Sequence, residues 1–207
     1  GRDVHREVAA MVFGVAPENV DSEMRRRAKA INFGILYGMG VNALRAQLGS
    51  TTAEAHQFLD DYFHTFKTLA EYLEKTKGFA RKHGYTETLF GRRRQFPEMK
   101  SPLPYVRAQA ERMAINAPLQ GTQADLIKLA MVRADRMLEE KGARTDAHLL
   151  LQVHDELVYE IRSARFEELA SSIKEIMESV LSPSETHDVP ILAQMKSGKD
   201  WGSMENA

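Results

Sequence analysis

Residues 148–161 read His148-Leu-Leu-Leu-Gln-Val153, then His154-Asp155-Glu156, then Leu157-Val-Tyr-Glu-Ile161. The first run is the clearest apolar strand signal in the chain, and a polar turn separates it from a second extended run. This pattern predicts a buried β-hairpin with acidic residues at its tip. Because helical periodicity surrounds the hairpin and helices outnumber strands, the sequence indicates an α+β fold.

Helical signals dominate the first half of the chain. Val4, Val8 and Met11 mark an opening helix for which we identify no cap. Three local signals then predict element ends: an N-cap at Asp21 or Ser22 for a helix that closes at Tyr37 and Gly38, a Thr51–Glu54 capping box, and a helix end near Gly84. Residues 85–96 are typical of a short hairpin.

The second half of the chain also begins with helical signals. We expect a helix from about Tyr105 to Asn116 that Pro118 breaks, because proline cannot donate the next helical hydrogen bond. Thr122 with Asp125 predicts the cap of a new helix that runs to Gly142. Two further elements are predicted downstream, an amphipathic helix over 166–180 and a last strand over 189–195.

The composition limits the classes of protein to which the chain can belong. Its 207 residues include 28 basic and 29 acidic ones, and the formal net charge of −1 excludes a protein that coats nucleic acid by bulk charge. The absence of cysteine excludes disulfides, thiolate zinc sites and a cysteine nucleophile. No bilayer-spanning apolar run or secretory signal is present, so we expect no membrane partner and a soluble, cytoplasmic protein. A start without Met, inside a helical pattern, suggests a piece of a longer chain.

Residues 25–37 place two cations and two aromatics along one edge of a predicted helix. Arg25 and Lys29 share a face, and Phe33 and Tyr37 continue the same edge. Two neighbouring cations repel each other unless an anion lies between them. Arg with Lys suits a polyphosphate, and the aromatics suit a sugar and a stacked base. The pattern therefore favours a nucleotide site, with a solvated basic turn followed by core aromatics as the alternative.

The predicted hairpin tip is a second candidate site. Asp155 and Glu156 are adjacent carboxylates, and a tight turn can bring both toward one ion. Mg²⁺ prefers oxygen ligands and usually takes one or two protein carboxylates, so this pair is a candidate Mg²⁺ platform. An ordinary polar turn is one alternative. A metal-dependent phosphohydrolase built on His154 and Asp155 is another, but the remaining histidines show no helpful metal-ligand spacing.

Basic and amide side chains form a third candidate set. Gly91-Arg92-Arg93-Arg94 lies at a hairpin turn, and Arg107, Arg112, Asn116 and Gln120 follow. Arg, Asn and Gln donate to phosphates and to base acceptors, whereas surface solubility accounts for any single one of them. Two nucleotide motifs are not supported: the chain has no G-x-x-x-x-G-K-[ST] loop, and Gly38-Met39-Gly40 follows a helix rather than a strand.

Together these segments resemble family A of the DNA polymerases, the bacterial polymerase I type. Two motifs carry the resemblance: the fingers-helix pattern from Arg25 through Lys29 and Phe33 to Tyr37-Gly38, and the palm pattern Val153-His154-Asp155-Glu156. Three more segments follow the family order: Gly1-Arg2-Asp3-Val4-His5, Glu87-Thr88-Leu89-Phe90-Gly91-Arg92-Arg93, and Asn116-Ala117-Pro118-Leu119-Gln120-Gly121-Thr122. The resemblance covers essentially the whole chain and outweighs the alternatives above.

The resemblance implies a DNA-directed DNA polymerase that uses Mg²⁺, primer–template DNA and deoxynucleoside triphosphates. It assigns the triphosphate to Arg25, Lys29 and His5, the sugar and base to Phe33, and the template position to Tyr37. The implied catalytic residues are Asp155, Glu156 and Lys29, with Asp155 and Glu156 as metal ligands. The implied primer–template contacts are His154, Arg112, Asn116 and Gln120 near the primer end, and Arg92 or Arg93 on the backbone.

The resemblance also implies a division into subdomains. Residues 1–84 would be mainly fingers, including the nucleotide-binding helix 22–38, and residues 85–207 mainly the C-terminal palm, whose antiparallel sheet carries the catalytic hairpin. One departure is large: the family's other metal-binding aspartate, in the motif Asp-Tyr-Ser-Gln-Ile-Glu-Leu-Arg, is absent from these 207 residues. We therefore expect a piece that lacks this palm motif, the thumb and the exonuclease domain, and that works with the remainder of the polymerase chain. The alternative is a non-catalytic nucleotide- or DNA-binding piece.

Overall fold

The computed structural model describes residues 3–207 as an α+β protein, which confirms the predicted fold class. Helices occupy Val4–Phe13 (α1), Ser22–Leu36 (α2), Val41–Leu48 (α3), Thr52–Thr65 (α4), Lys67–His83 (α5), Pro104–Glu140 (α6) and Phe166–Glu178 (α7). Strands occupy Tyr85–Glu87 (β1), Arg93–Gln95 (β2), Ala147–Val153 (β3), Glu156–Ile161 (β4), Lys196–Ser197 (β5) and Glu205–Asn206 (β6). They form three antiparallel pairs, β1–β2, β3–β4 and β5–β6. Gly1 and Arg2 of the first family-like segment lie outside the described residues.

The chain forms two compact units, Gly1–Gln120 and Gly121–Ala207, and the division lies within α6. The expected change from fingers to palm, after residue 84, concerns subdomains defined by function rather than compact units, so it stays a prediction. No helix in the described part of the chain is long and apolar enough to cross a membrane.

Side-chain caps determine where the helices of the first unit begin. Asp3 caps α1, because its Oδ1 atom accepts hydrogen bonds from two backbone N–H groups of the first turn. The expectation that this helix lacks a cap is therefore wrong, and an aspartate directly before the apolar run is the signal that identifies it. Asp21 caps α2, and Thr51 with Glu54 forms the capping box of α4, both as predicted.

The apolar faces of α1 to α4 form the main core of the first unit. α2 contributes Ala28, Ile31 and Ile35, and Tyr62 of α4 is 1% exposed. Burial of a large apolar side chain contributes about 1.5–3 kcal/mol. This packing therefore decides which face of α2 is buried and which edge is left to solvent.

The predicted hairpin after α5 is confirmed in a shorter form. Gly84 ends α5 with a φ of 76°, a left-handed value that glycine adopts without strain. β1 and β2 then pair in antiparallel register. Phe96 follows β2 and is 1% exposed, in a cluster with Ala80 of α5 and Ala114 of α6. This second cluster anchors the end of the hairpin to α5 and α6.

The predicted helix break at Pro118 is wrong, because α6 runs without interruption from Pro104 to Glu140. Proline removes one backbone hydrogen bond and crowds the preceding turn, which costs about 3 kcal/mol. Buried residues flank it on both sides: Ala110, Ala114, Ala130, Ala134 and Leu138. Packing along the helix outweighs the local penalty, so Thr122 and Asp125 lie inside α6 and form no cap.

The second unit packs α7 and the end of α6 against the β3–β4 hairpin. Leu138, Ala147 and Leu169 are buried there together. The predicted hairpin and the late helix are confirmed, but residues 189–195 form no strand, contrary to the prediction. A strand needs a partner for its backbone groups, and in the described chain the β3–β4 sheet has only two strands.

Candidate functional site

One edge of α2 brings the cations and aromatics to the surface. Arg25, Lys29 and Phe33 recur every four residues, and Tyr37 follows as the C-cap residue. Phe33 is 37% exposed and Tyr37 36%, so neither ring is a core residue and that alternative is wrong. Because the opposite face of α2 enters the core, this edge is open to a ligand.

Contacts along this edge hold its members in line. The Lys29 Nζ atom lies 5.7 Å from the centroid of the Phe33 ring, within cation–π range. The Phe33 and Tyr37 rings are stacked, with centroids 6.0 Å apart and an interplanar angle of 16°. An exposed cation beside two nearly parallel rings offers a phosphate partner and a stacking platform in one line.

Asp3 ties the Arg25 end of the edge to α1. Its Oδ2 atom accepts a hydrogen bond from Arg25 Nε at 2.6 Å, while its Oδ1 atom caps α1. The Arg25 hydrogen bond holds the pKa of Asp3 below its usual range. This bond orients the guanidinium of Arg25, whose planar fork carries further nitrogens that can bind an anion.

Replacement of Asp3 should destabilise the protein through two separable interactions. Asp3→Ala loses the α1 cap and the Arg25 hydrogen bond, and we expect the free energy of unfolding to fall by about 1 kcal/mol. Asp3→Asn keeps a good cap and loses only a partly exposed ion pair, so its loss should be smaller. Urea unfolding of the wild-type chain and both variants measures the two contributions.

The Asp3 contribution should also depend on pH with a definite sign. Because folding lowers the pKa of Asp3, its charge stabilises the fold above the usual value of 3.8, and this contribution is lost as the pH falls through the lower folded-state pKa. The stability difference between the wild-type chain and Asp3→Asn should be constant near neutrality and shrink below pH 3.8. A difference that grows on acidification would contradict the assignment.

His5 of α1 lies on the Phe33 side of this edge. Its Nδ1 atom is 3.2 Å from Asn32 Nδ2, and its ring centroid is 5.4 Å from that of Phe33. Burial and the positive charge of Arg25 lower the pKa of His5. The structure therefore brings His5 together with the cations and the first aromatic of α2.

α6 brings three of the expected DNA-contacting side chains toward the C-terminal end of α2. Gln120 Nε2 donates to the Tyr37 hydroxyl at 3.1 Å. Arg112 lies against Gly38, where an added Cβ would be 2.6 Å from the Arg112 Cγ atom, and the φ of Gly38 is 81°. Both features require glycine. Asn116 lies one helical turn from each, and its buried Oδ1 atom has no hydrogen-bond partner in the described structure.

The β1–β2 hairpin exposes Arg92 and Arg93. Arg93 Nε donates to Glu87 at 2.6 Å, and the guanidinium lies 4.6 Å from the centroid of the Tyr85 ring. Exposed pairs of this kind contribute little stability. Arg93 can therefore exchange Glu87 for a phosphate without much loss of folding free energy.

The β3–β4 turn exposes His154, Asp155 and Glu156. Val153 pairs with Glu156, so His154 and Asp155 form a two-residue turn. His154, at the first position of this turn, has a positive φ of 54°, as the first residue of a type II′ turn does. The expectation of a buried hairpin is wrong, because residues 149–151 of β3 are between 37% and 53% exposed. No third strand covers this two-stranded sheet within the described residues.

The Asp155 and Glu156 carboxylates suit a hard divalent cation. Mg²⁺ takes oxygen ligands and usually one or two protein carboxylates, with the remaining positions filled by water or phosphate. Among residues 3–207 no group of three or more His, Asp or Glu side chains could hold a metal. A cavity of about 760 Å³ in the second unit is lined by both carboxylates, and by Tyr159 and Lys196 among others. The pair can thus supply part of a metal site beside a sizeable space.

Sequence reasoning missed three residues that organise the site. Asp3 both caps α1 and binds Arg25. Asn32 contacts His5 and accepts a hydrogen bond from the hydroxyl of Tyr62, a residue that the apolar pattern of α4 assigns to the core alone. The signal that points to Asn32 is its place in the middle of a helix, directly after the buried Ile31. Asparagine is an unfavourable residue inside a helix, so its presence there indicates a side-chain contact.

The fold is that of a polymerase domain. The structure of the POL domain of Pol1 from M. smegmatis, in complex with DNA primer-template and dNTP, matches this chain with a TM-score of 0.83 and 41% identity. The match covers 92% of this chain and 32% of that one.

The chain belongs to DNA polymerase family A, whose model matches residues 1–203. The thermostable DNA polymerase I of Thermus aquaticus is 48% identical over 201 residues, which are 97% of this chain and 23% of that protein. The DNA polymerase I of Pseudomonas aeruginosa is 46% identical over 199 residues, which are 96% of this chain and 21% of that protein. The chain thus spans less than a quarter of the length of these relatives.

Proposed function

We propose that this chain is the fingers and the C-terminal part of the palm of a DNA-directed DNA polymerase that acts in the cytoplasm in replication or repair. The reaction is template-dependent attack of a primer 3′-hydroxyl on the α-phosphate of a deoxynucleoside triphosphate, with release of pyrophosphate. The observation that carries this proposal is the solvent-open edge of α2. There Arg25, Lys29, Phe33 and Tyr37 follow the order of the phosphates, sugar and base of a nucleotide.

The cationic end of α2 would bind the triphosphate. Arg25 and Lys29 would neutralise charge on the departing phosphates, and such preorganised charge stabilises the transition state more than the ground state. His5 would add a hydrogen bond from α1. Phe33 would pack on the sugar and base, and Tyr37 would stack at the template position. Movement of this helix over a correctly paired nucleotide would make selection an induced-fit process.

The amide and basic side chains would hold the primer–template. Arg112, Asn116 and Gln120 lie at successive turns of α6, and Gln120 bonds Tyr37, which links the DNA-contacting helix to the nucleotide edge. The Oδ1 atom of Asn116 is buried without a hydrogen-bond partner among the described residues, so Asn116 would need a change of side-chain rotamer to present its amide to DNA. Arg92 or Arg93 would contact the DNA backbone from the exposed β1–β2 hairpin.

The β3–β4 turn would supply the remaining chemistry. Asp155 and Glu156 would hold Mg²⁺, which when bound lowers the pKa of an attacking hydroxyl and neutralises charge on the phosphates. Asp155 lies in the turn and Glu156 opens β4, so the hairpin fixes both backbones. His154, held in the left-handed conformation beside them, would contact the primer end.

A second candidate is a non-catalytic nucleotide- and DNA-binding piece that needs a further palm motif from the remainder of the polymerase chain or from a partner chain. The exposed leucines of β3 favour it, because an uncovered apolar strand is typical of an interface. The two candidates differ in one assay. When the absent palm motif is supplied on a further segment, loss of primer extension in Asp155→Asn supports the first candidate, because this chain then holds the catalytic metal. Extension that survives the substitution supports the second.

Phe33→Tyr tests the proposed role of the α2 edge in a polymerisation-competent form of the protein. A hydroxyl beside the sugar can donate a hydrogen bond where a missing 3′-hydroxyl leaves room, so we expect the variant to accept dideoxynucleotides more readily. Competition between deoxy- and dideoxynucleotides in primer extension measures this. Because Phe33 is 37% exposed, stability should change by no more than about 0.5 kcal/mol. Unchanged selectivity with a lowered melting temperature would assign Phe33 a packing role instead.

A further inference from the structure

Three polar side chains from three helices form a chain of hydrogen bonds, Tyr62–Asn32–His5, next to the edge of α2 that carries Arg25, Lys29, Phe33 and Tyr37. The Tyr62 hydroxyl of α4 donates to Asn32 Oδ1 of α2, and Asn32 Nδ2 lies 3.2 Å from His5 Nδ1 of α1. Tyr62 is 1% exposed, which anchors one end of the chain in the core. The other end is the imidazole, part-buried beside Phe33.

The donors and acceptors of this chain determine where the His5 proton lies. An amide has one acceptor oxygen and one donor NH₂ group. Because Tyr62 donates to the oxygen of Asn32, the NH₂ group is the part that faces His5. A ring nitrogen that accepts from an N–H group carries no proton, so the imidazole proton must be on the other nitrogen.

We propose that Asn32, oriented by Tyr62, is a positioning residue that holds His5 as the neutral imidazole with its proton on Nε2. This inference rests on the proposed function in one respect, since the Nε2–H group is then the donor offered to a nucleotide phosphate. His5 adds a hydrogen bond to the site of Arg25 and Lys29 but no third positive charge. Its contribution to phosphate binding is therefore independent of pH above its pKa.

The surroundings of these three hydrogen-bonded side chains also favour the neutral state of His5. Burial and the charges of Arg25 and Lys29 lower the pKa of His5, against an opposing effect of Asp3. Burial raises the pKa of Tyr62 to about 12, so its hydroxyl stays protonated and remains a donor. The Phe33 ring, which also lies beside the imidazole, carries no charge.

The tautomer can be read directly by NMR. In the 207-residue chain labelled with ¹⁵N-histidine, long-range ¹H–¹⁵N correlations distinguish protonated from bare ring nitrogens, and His5→Gln identifies the His5 signals among the seven histidines. At neutral pH we expect His5 to show a bare Nδ1 and a protonated Nε2. A proton on Nδ1 of the wild-type chain would overturn the proposal without recourse to any variant.

Asn32→Asp reverses the hydrogen bond with little change of shape. A carboxylate can only accept, so the proton should move to Nδ1, and the nearby negative charge should raise the pKa of His5 by about 1 or more. Asn42→Asp adds the same charge to an exposed position of the first unit and should leave the His5 tautomer unchanged. If Asn32→Asp leaves the His5 tautomer and pKa as they were, Asn32 does not position the ring.

Tyr62→Phe removes the anchor and keeps the buried ring. Without the donor, Asn32 can turn either end toward His5, and the spectrum should show a mixture of the two tautomers. Tyr72→Phe, which removes the hydroxyl of another part-buried tyrosine, is the matched control and should have no effect on His5. A single unchanged tautomer in Tyr62→Phe would show that the hydroxyl does not orient the amide.

Inorganic triphosphate separates this inference from the proposed function. Added to the labelled wild-type chain, it should shift the His5 Nε2 and proton resonances, as expected for a new hydrogen bond. If the tautomer is as proposed but triphosphate causes no shift, the positioning role of Asn32 stands and the phosphate-binding role of His5 is wrong. If triphosphate causes a shift but Nδ1 is protonated, the phosphate role stands and the positioning role is wrong.

Discussion

Asp155→Asn should abolish primer extension by a polymerisation-competent form of the protein while its fold and DNA binding remain nearly unchanged. Asparagine has almost the same shape, and Asp155 is exposed at the β3–β4 turn, so the substitution disturbs no packing. It removes an anionic oxygen, the ligand that Mg²⁺ prefers. Because metal assistance contributes several kcal/mol to such reactions, we expect the rate to fall by about a thousandfold or more.

Single-nucleotide primer extension at saturating DNA measures the Asp155 effect, and Glu160→Gln is the matched control. Glu160 is an exposed carboxylate on β4, so its neutralisation changes the net charge equally but leaves the turn intact. Extension should be normal in that variant. Substantial extension by Asp155→Asn at ordinary Mg²⁺ concentrations would show that the metal is held by other groups.

Short-range chemistry accounts for the parts of the fold that the sequence predicts. The α2 cap at Asp21, the Thr51–Glu54 box and the glycine at the end of α5 act within one or two turns of helix. The β3–β4 turn is equally local, because two strand-forming runs meet at two intervening residues. Neighbouring residues alone decide such features, so a pattern in the sequence is sufficient to identify them.

Long-range packing decides the parts that the sequence does not predict. The local rule for Pro118 gives a helix end, but burial on both sides of it keeps α6 continuous. For residues 189–195 the strand pattern is present and a pairing strand is not, within the described chain. The apolar run of β3 predicts a buried strand, but the strand lies partly exposed because no further element of the described chain covers it. Each case depends on a neighbour that is distant in the sequence.

The candidate site shows the same division. The order of Arg25, Lys29, Phe33 and Tyr37 along one edge follows from the helical repeat, and the structure has that edge in solvent. The groups that orient these side chains come from elsewhere. Asp3 reaches Arg25 across 22 residues, and Gln120 reaches Tyr37 across 83. No periodicity connects such pairs, so the sequence predicts the ligand-facing residues better than their supports.

Arg25→Ala and Lys29→Ala should each weaken nucleotide use far more than DNA binding. Each removes a charge-assisted contact to the triphosphate, worth about 1.5–3 kcal/mol, so the efficiency of nucleotide incorporation should fall about ten- to a hundredfold. Arg25→Ala also removes the hydrogen bond that the Oδ2 atom of Asp3 accepts, and Lys29→Ala removes the cation beside Phe33. Incorporation kinetics at varied nucleotide concentration and a primer–template binding titration give the two quantities to compare.

Arg26→Ala is the matched control for these two substitutions. Arg26 lies on the same helical turn as Arg25, but its guanidinium bonds Glu23 and is turned away from the edge, with 76% of its side chain exposed. The Arg26→Ala substitution removes the same formal charge from α2 as Arg25→Ala does. It therefore reports how the loss of charge alone affects binding. Nucleotide efficiency should be nearly unchanged in Arg26→Ala if the ordered edge, rather than the net charge of the helix, binds the triphosphate. Two outcomes would contradict this assignment: equal losses in all three variants, or parallel losses of DNA affinity and nucleotide efficiency in Arg25→Ala and Lys29→Ala. Either one would assign these cations to general attraction of nucleic acid. Non-specific attraction depends on charge and not on position along the helix.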